Sequence, residues 1–257
     1  MGIHYYDTCT EPFEAQCIRL KPARVLTEAQ IPCMVWAEDA LSLAHFVPTA
    51  LFAQHLIVPD DLIALASSTI QSGFSYTVGP ANTWTEIKPF DPDKTSPFPH
   101  SIHLHSTVPA ELRDEDDPPM VIIHPHSDFS LDVRDHSLST SLVPPLPASY
   151  SAIRFPTRVA FLDSLVSMIL DPPSGRKQWK FINQMIVFIS YINMYTRPLR
   201  EVQPYVLPSG ELDPRCADVV ASLREENRSY LDDYLRGRKR AWAVNVVKRR
   251  TVLERMG

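Results

Sequence analysis

Polar residues interrupt the apolar stretch from 31 to 58 at places where a site could form. Glu38 and Asp39 follow a short apolar run and open a helical pattern, and Gln54 and His55 interrupt a second apolar run. The pattern predicts a strand, a helix and a second strand. Carboxylates at a helix start can act as ligands, but they also stabilise the helix by complementing its dipole. We therefore expect either a ligand-binding site or a structural role for these four residues.

Histidine is the second residue type that could support chemistry. Six of the nine histidines lie between His100 and His136. Two pairs have the spacing i, i+2, and they are His103 with His105 and His124 with His126. Residues with this spacing share one face of a strand, so each pair could present two imidazoles to one metal ion. The alternative is that they are ordinary strand and loop histidines in a proline-rich region.

Trp84 and Glu86 form a third candidate pair. They alternate with threonine in a short predicted strand at 83–87, so they would share one face and could line a pocket. The more ordinary role of such a tryptophan is in the core.

Hydrophobic periodicity predicts an α/β fold of the α+β kind, with a mixed sheet, flanking helices and a helical C-terminal part. Strands are expected at 31–36, 51–58, 83–87, 101–106, 120–124 and 129–133. Helices are expected at 39–45, 59–70, 159–170, 179–195 and 217–235. This order predicts two domains, residues 1–155 and residues 156–257.

The stretch from Ile31 to Phe74 resembles the nucleotidyltransferase superfamily, in particular its minimal, antitoxin-linked branch. Val35 to Leu41 matches the first strand and helix start, and His45-Phe46-Val47-Pro48 lies where the family often has His-Gly-Val-Pro. Leu56-Ile57-Val58 continues the strand that bears the metal ligands. The string Trp-Ala-Glu-Asp-Ala-Leu also resembles a segment of uncharacterised fungal proteins.

The resemblance implies an activity whose residues this chain lacks. In the family, three carboxylates hold two divalent metals that align a nucleoside triphosphate. The glycine pair of the family falls on Ala37 and Glu38, the two strand aspartates fall on Ala53 and His55, and the third carboxylate falls on His103. Mg²⁺ prefers oxygen ligands, so the resemblance implies a domain that has lost nucleotidyl transfer.

Composition excludes several other classes. The 7 glycines form no phosphate-binding loop, and the 4 cysteines have no metal-binding spacing. Without a signal-peptide pattern, these cysteines favour a reducing, cytoplasmic location. No apolar run is long enough for a transmembrane segment.

The C-terminal end is basic although the chain has a net charge of −5. From 236 to 257 there are eight lysines and arginines and one acid, Glu254. Apolar residues alternate with them, so we expect an amphipathic helix that docks on the protein or contacts RNA or anionic lipid.

Three functions remain from the sequence. The preferred one is a pseudoenzyme of nucleotidyltransferase fold that binds an unknown small molecule or protein, with Glu38, Asp39, Gln54, His55, Trp84, Glu86 and His103 as the ligand-binding residues. The second is an active nucleotidyltransferase that modifies a small molecule or RNA through other carboxylates, such as Glu86, Asp128 or Asp132. The third is a metalloenzyme that uses His103, His105, His124 and His126, and a divalent metal is the only cofactor to which these residues point.

Overall fold

The computed structural model describes residues 4–81, 96–176, 178–238 and 242–256. Over these residues the chain is a mixed α+β protein, which confirms the predicted fold class. It divides into two compact units, Met1–Thr157 (unit 1) and Arg158–Gly257 (unit 2). The predicted strand at 83–87, with Trp84 and Glu86, lies outside the described residues.

Unit 1 contains a five-stranded mixed sheet and short helices. The helices are α1 (Phe13–Arg19), α2 (Lys21–Glu28), α3 (Ala37–Asp39), which continues as a π-helical turn (Ala40–Ala44), and α4 (Ile63–Gly73). The strands are β1 (Met34–Trp36), β2 (Gln54–Val58), β3 (Tyr76–Val78), β4 (Ile102–Ser106), β5 (Met120–Pro125), β6 (Ser139–Thr140) and β7 (Phe155–Pro156). The large sheet has the order β1-β2-β5-β4-β3, and β6 pairs with β7 separately.

The centre of the sheet is the parallel pair β2 and β5; the other neighbouring strands in this sheet are antiparallel. Every residue of both central strands is buried. Nearly continuous apolar runs are typical of strands that are covered on both faces. The polar residues on these two strands therefore have to find partners inside the protein.

A buried ion pair joins α1 to α3. The Arg19 guanidinium donates from Nε to Asp39 Oδ1 (2.6 Å) and from Nη2 to Asp39 Oδ2 (2.9 Å). It also donates to the Phe52 carbonyl (2.7 Å), while the Arg19 carbonyl accepts from the Gln54 side chain (2.7 Å). Burial alone would lower the pKa of Arg19, but Asp39 raises it above its ordinary value, so the Arg19 guanidinium remains charged.

Unit 2 is helical over its described residues. Its helices are α5 (Arg158–Leu170), α6 (Trp179–Tyr195), α7 (Pro214–Ser222), α8 (Glu225–Leu235) and α9 (Trp242–Met256). Helix α5 is buried from Ala160 to Leu170 and contacts α6, α8 and α9. Among the described residues, no helix has the length and apolar character needed to cross a membrane.

Two of the expected elements are wrong. The strand predicted at 129–133 does not form, because Ser130 has a left-handed backbone (φ 50°) that ends a 3-10 turn at Phe129. The single helix predicted at 217–235 is two helices, α7 and α8. The helical path is interrupted at Arg224. Its backbone is not helical, and its N–H donates to Asp163 Oδ1 (3.2 Å).

Removing one partner of the Arg19–Asp39 pair should destabilise unit 1 strongly. Asp39→Ala leaves a buried guanidinium without its counter-charge, and we expect a loss of about 3–5 kcal/mol in the free energy of unfolding. The double variant Arg19→Met/Asp39→Leu should lose less than the single variant, because neither charge then remains buried. Urea unfolding of the wild type and these variants measures both effects. Equal losses in the single and double variants would contradict the inference.

Candidate functional site

Three buried histidines lie on one face of the large sheet, which we call the histidine face. His55 on β2 and His103 on β4 are both paired with Ile122 on the intervening strand β5. His124 lies two residues beyond Ile122 and so points to the same face. The relative exposure is 0% for His55 and His124 and 6% for His103. The sheet thus gathers three imidazoles that are far apart in the sequence.

Two of these histidines belong to a hydrogen-bonded chain that ends at a serine. His55 Nδ1 and His124 Nε2 are 2.9 Å apart, and His124 Nδ1 is 2.7 Å from Ser101 Oγ. If the Ser101 hydroxyl donates to His124, then His124 donates to His55; in the opposite tautomer both bonds are reversed. In both arrangements the two imidazoles are neutral.

Burial keeps these histidines uncharged at neutral pH. It lowers the pKa of His55 from 6.5 to about 3 and that of His103 to about 4, and neighbouring histidines add to the effect in both. Burial, together with His55 and His103, also lowers the pKa of His124 well below 6.5. The arrangement resembles a nucleophile with its base, but a base needs a pKa near the working pH. His124 is therefore a poor proton acceptor for Ser101.

His103 differs from the other two because its ring has no hydrogen bond within the described part of the chain. Both of its nitrogens are buried and lack a partner there. An unsatisfied buried polar group costs about 1–3 kcal/mol, and such a group in a native protein is often explained by a functional role or a bound water or ion. His103 is thus the residue of the histidine face best suited to meet a ligand.

Aromatic rings cover the histidine pair. The Phe98 ring lies 4.6 Å from the His124 ring and 5.5 Å from Phe129, and Phe129 contacts Trp36 edge-on at 4.8 Å between centroids. All three aromatic side chains are buried. This layer excludes water from the His55–His124 bond, which accounts for the low pKa values.

The residues predicted from the sequence to bind a ligand do not all lie together in the structure. His55 and His103 meet on the histidine face, whereas Gln54 points to the opposite face, where it donates to Arg19. Asp39 is held by the Arg19 ion pair, and Glu38 is buried beside it, where its charge also acts on Arg19. Ligand binding by these three residues stays a prediction.

The four histidines nominated for a metal have different surroundings. His103 and His105 share a face of β4, but the His105 ring donates to the Pro80 carbonyl (2.9 Å). His126 lies beyond β5 between Asp132 (3.4 Å) and Asp60 (3.7 Å). Within the described ranges, no group of three or more histidine, cysteine, aspartate or glutamate side chains is arranged to hold a metal ion. Metal binding by the four histidines stays a prediction.

A second group of polar residues lies at the carboxyl ends of the parallel strands β2 and β5, where ligands bind in many open sheets. Asp128 Oδ1 is 3.1 Å from His100 Nδ1, and the Asp128 side chain is 7% exposed. Its other carboxylate oxygen is buried and has no hydrogen bond among the described residues. Burial raises the pKa of Asp128; His100 opposes the rise and Asp60 adds to it. A buried carboxylate with a raised pKa is a candidate functional group.

Sequence reasoning did not nominate Ser101 or Arg19. Ser101 precedes β4 and has no motif around it, and its link to His124 depends on the pairing of β4 with β5. Arg19 lies 20 residues before Asp39 in the sequence. A buried partner for either residue could not be identified without strand pairing and helix packing.

No protein-family model, no curated protein and no solved structure matches this chain. Its function is therefore argued from the site itself.

Acid should destabilise the protein between about pH 6.5 and about pH 4. The pKa of His103 is lowered from 6.5 to about 4 in the folded chain, so between these values the unfolded chain binds a proton that the folded chain does not. The free energy of unfolding should therefore fall as the pH falls from about 6.5 to about 4, by roughly 3 kcal/mol for His103 alone. Urea unfolding across this range measures the slope. A flat profile would show that the histidines are not buried as neutral groups.

Replacing His103 by leucine should test whether its ring has a partner. His103→Leu removes two unsatisfied buried nitrogens, and we expect the free energy of unfolding at pH 7 to stay the same or rise by about 1 kcal/mol. His124→Leu is the matched control, since it breaks two hydrogen bonds and should destabilise the protein. Thermal and urea unfolding compare the two variants. Equal losses in both would mean that His103 is held by a bond in the native protein.

Proposed function

We propose that unit 1 is a catalytically degenerate domain of nucleotidyltransferase type that acts as a ligand-binding or protein-interaction module. The observation that carries this proposal is the placement of His55 and His103 beside one another across Ile122. These are two of the positions at which the family resemblance expects metal-binding carboxylates. The third position, Ala53, lies in an apolar cluster with Met120 and Ile122.

The backbone at Ala37 also supports this alignment with the family. Ala37 has a left-handed conformation (φ 58°) at the turn between β1 and α3. Glycine adopts this conformation without the steric penalty that other residues meet. The resemblance aligns Ala37 with a glycine of the family, and a left-handed backbone is one that a glycine at this position would favour.

The chemistry of these positions argues against phosphoryl transfer. Mg²⁺ is bound through carboxylates, other oxygens and water. His55 and His103 are neutral imidazoles in a buried, partly aromatic environment, and Ala53 has no ligand atom. Neutral imidazoles can instead donate and accept hydrogen bonds to an uncharged ligand.

A second candidate function is an active transferase whose carboxylates lie at the strand ends. The buried carboxylate of Asp128, with its unpartnered oxygen in the described part of the chain and its raised pKa, favours it. Asp60 is close enough to Asp128 to raise that pKa further. In this candidate Asp128 would bind a metal or accept a proton, and the histidine face would be structural.

Nucleotide titrations separate the two candidates. A ligand that binds only the folded state raises stability by about 2.7 kcal/mol at a hundred times its dissociation constant. We expect no shift of the thermal midpoint with ATP, GTP, CTP or UTP, with or without Mg²⁺ or Mn²⁺. A metal-dependent shift with one nucleotide that is lost in Asp128→Asn would reject the degenerate domain and support the active transferase.

Placing aspartates at the three positions where the family has metal-binding carboxylates tests the alignment directly. In the triple variant Ala53→Asp/His55→Asp/His103→Asp, three carboxylates would converge on the histidine face, and Mg²⁺ should raise the thermal midpoint. The double variant His55→Asn/His103→Asn is the control, since it has polar side chains of similar size without charge. Circular dichroism establishes that both variants are folded. A folded triple variant with no greater response to Mg²⁺ than the control would contradict the placement of the site.

A further inference from the structure

Two polar residues of helix α9 face the interior of unit 2, whereas two of its valines face solvent. Asn245 and Arg249 are buried, with 1% and 6% exposure, whereas Val244 and Val247 are 50% and 62% exposed. A surface helix normally directs its apolar residues to the core and its polar residues to solvent. The C-terminal helix therefore has the reverse of the usual arrangement over these four residues.

Buried hydrogen bonds fix this orientation. Arg249 donates to Asn227 Oδ1, and Asn227 donates to Asp163 Oδ1 (2.7 Å) and to Ser167 Oγ (2.9 Å). At the start of the helix, the Trp242 indole donates to the Ile169 carbonyl (2.7 Å). Rotating α9 to bury its valines would break these bonds and expose unsatisfied partners on α5 and α8. The outward valines are thus a consequence of the internal network.

Basic side chains lie on both sides of the exposed valines. Positions three or four residues apart share a helix face, which places Val244, Val247 and Thr251 together. Lys248 and Arg255 lie along one edge of this stripe and Arg250 along the other, and all three side chains are exposed. Lys248 also donates to Ser229 (2.9 Å) and lies 3.9 Å from Asp233. The exposed acid Glu254 shares this face, four residues after Arg250, so three basic side chains of the helix stand against one acid and the face is net positive.

We infer that the outward face of α9 binds an anionic membrane surface. Interfacial helices combine an apolar stripe with flanking lysines and arginines, which extend to the phosphate level while the apolar side chains enter the acyl boundary. Single-stranded RNA fits this face less well, because stacking on bases needs exposed aromatic rings and Trp242 is bonded to α5. The surface belongs to unit 2 and does not depend on the function of unit 1.

Vesicle sedimentation with the full chain tests the inference. The probes are vesicles of phosphatidylcholine alone and vesicles with about one-third phosphatidylserine, which supply the negative surface potential. We expect binding to the anionic vesicles only, with a strong dependence on salt. Binding to neither kind, or equal binding to both, would overturn the inference, as would binding of poly(U) without binding of anionic vesicles.

Substitutions on and off the face locate the contact. Val247→Glu should weaken binding at least tenfold, and Arg250→Gln/Arg255→Gln should weaken it about 25-fold, since each cation near such a surface contributes about fivefold. Leu207→Glu is the matched control, because Leu207 is a partly exposed apolar residue of unit 2 outside α9. It should bind as the wild type does. Thermal midpoints verify that all variants are folded, and an equal loss of binding in Leu207→Glu would overturn the assignment to α9.

Discussion

The parallel pairing of β2 with β5 is the constraint on which the organisation of unit 1 depends. Because both strands are buried along their whole length, no charged side chain on them could be solvated. The polar side chains on these strands form hydrogen bonds inside the protein instead. Gln54 donates to the Arg19 carbonyl, and His55 and His124 bond to one another. The sheet therefore accepts imidazoles only in their neutral form, and this limits what the histidine face can do.

Because its imidazoles stay neutral, the histidine face is suited to binding a ligand and not to acid–base catalysis. A general base must take up a proton, and a buried imidazole becomes an effective base when a nearby anion stabilises the imidazolium. His124 has His55 as its partner instead of a carboxylate, and burial lowers the pKa of both. Asp128 lies in the opposite situation, since its carboxylate retains His100 as a partner and burial raises its pKa. Proton transfer is thus more accessible at the strand ends than on the histidine face.

Periodicity in the sequence was enough to predict the order of most elements, because buried strands and core helices leave strong apolar patterns. It predicted the strand at β5 and the helix α6 closely. It could not predict which strands are neighbours, and so none of its hypotheses contained His55, His103 and His124 together. It also missed the break at Arg224, because that break depends on Asp163, a residue 61 positions away. Interactions of this range are set by tertiary packing, which local patterns do not contain.

In unit 2, too, buried polar residues require partners inside the protein, and here they determine how a surface helix is oriented. Asp163, Ser167 and Asn227 are polar residues inside a helical core, and their hydrogen bonds need donors that reach them from another helix. Arg249 supplies one of these, although burial lowers the pKa of its guanidinium. Replacing such a buried network with apolar residues is often neutral or stabilising, so its value can lie in fixing one orientation of a helix. Here the fixed orientation directs Val244 and Val247 to solvent between basic side chains. The buried hydrogen bonds of unit 2 thereby determine which side chains α9 exposes to solvent.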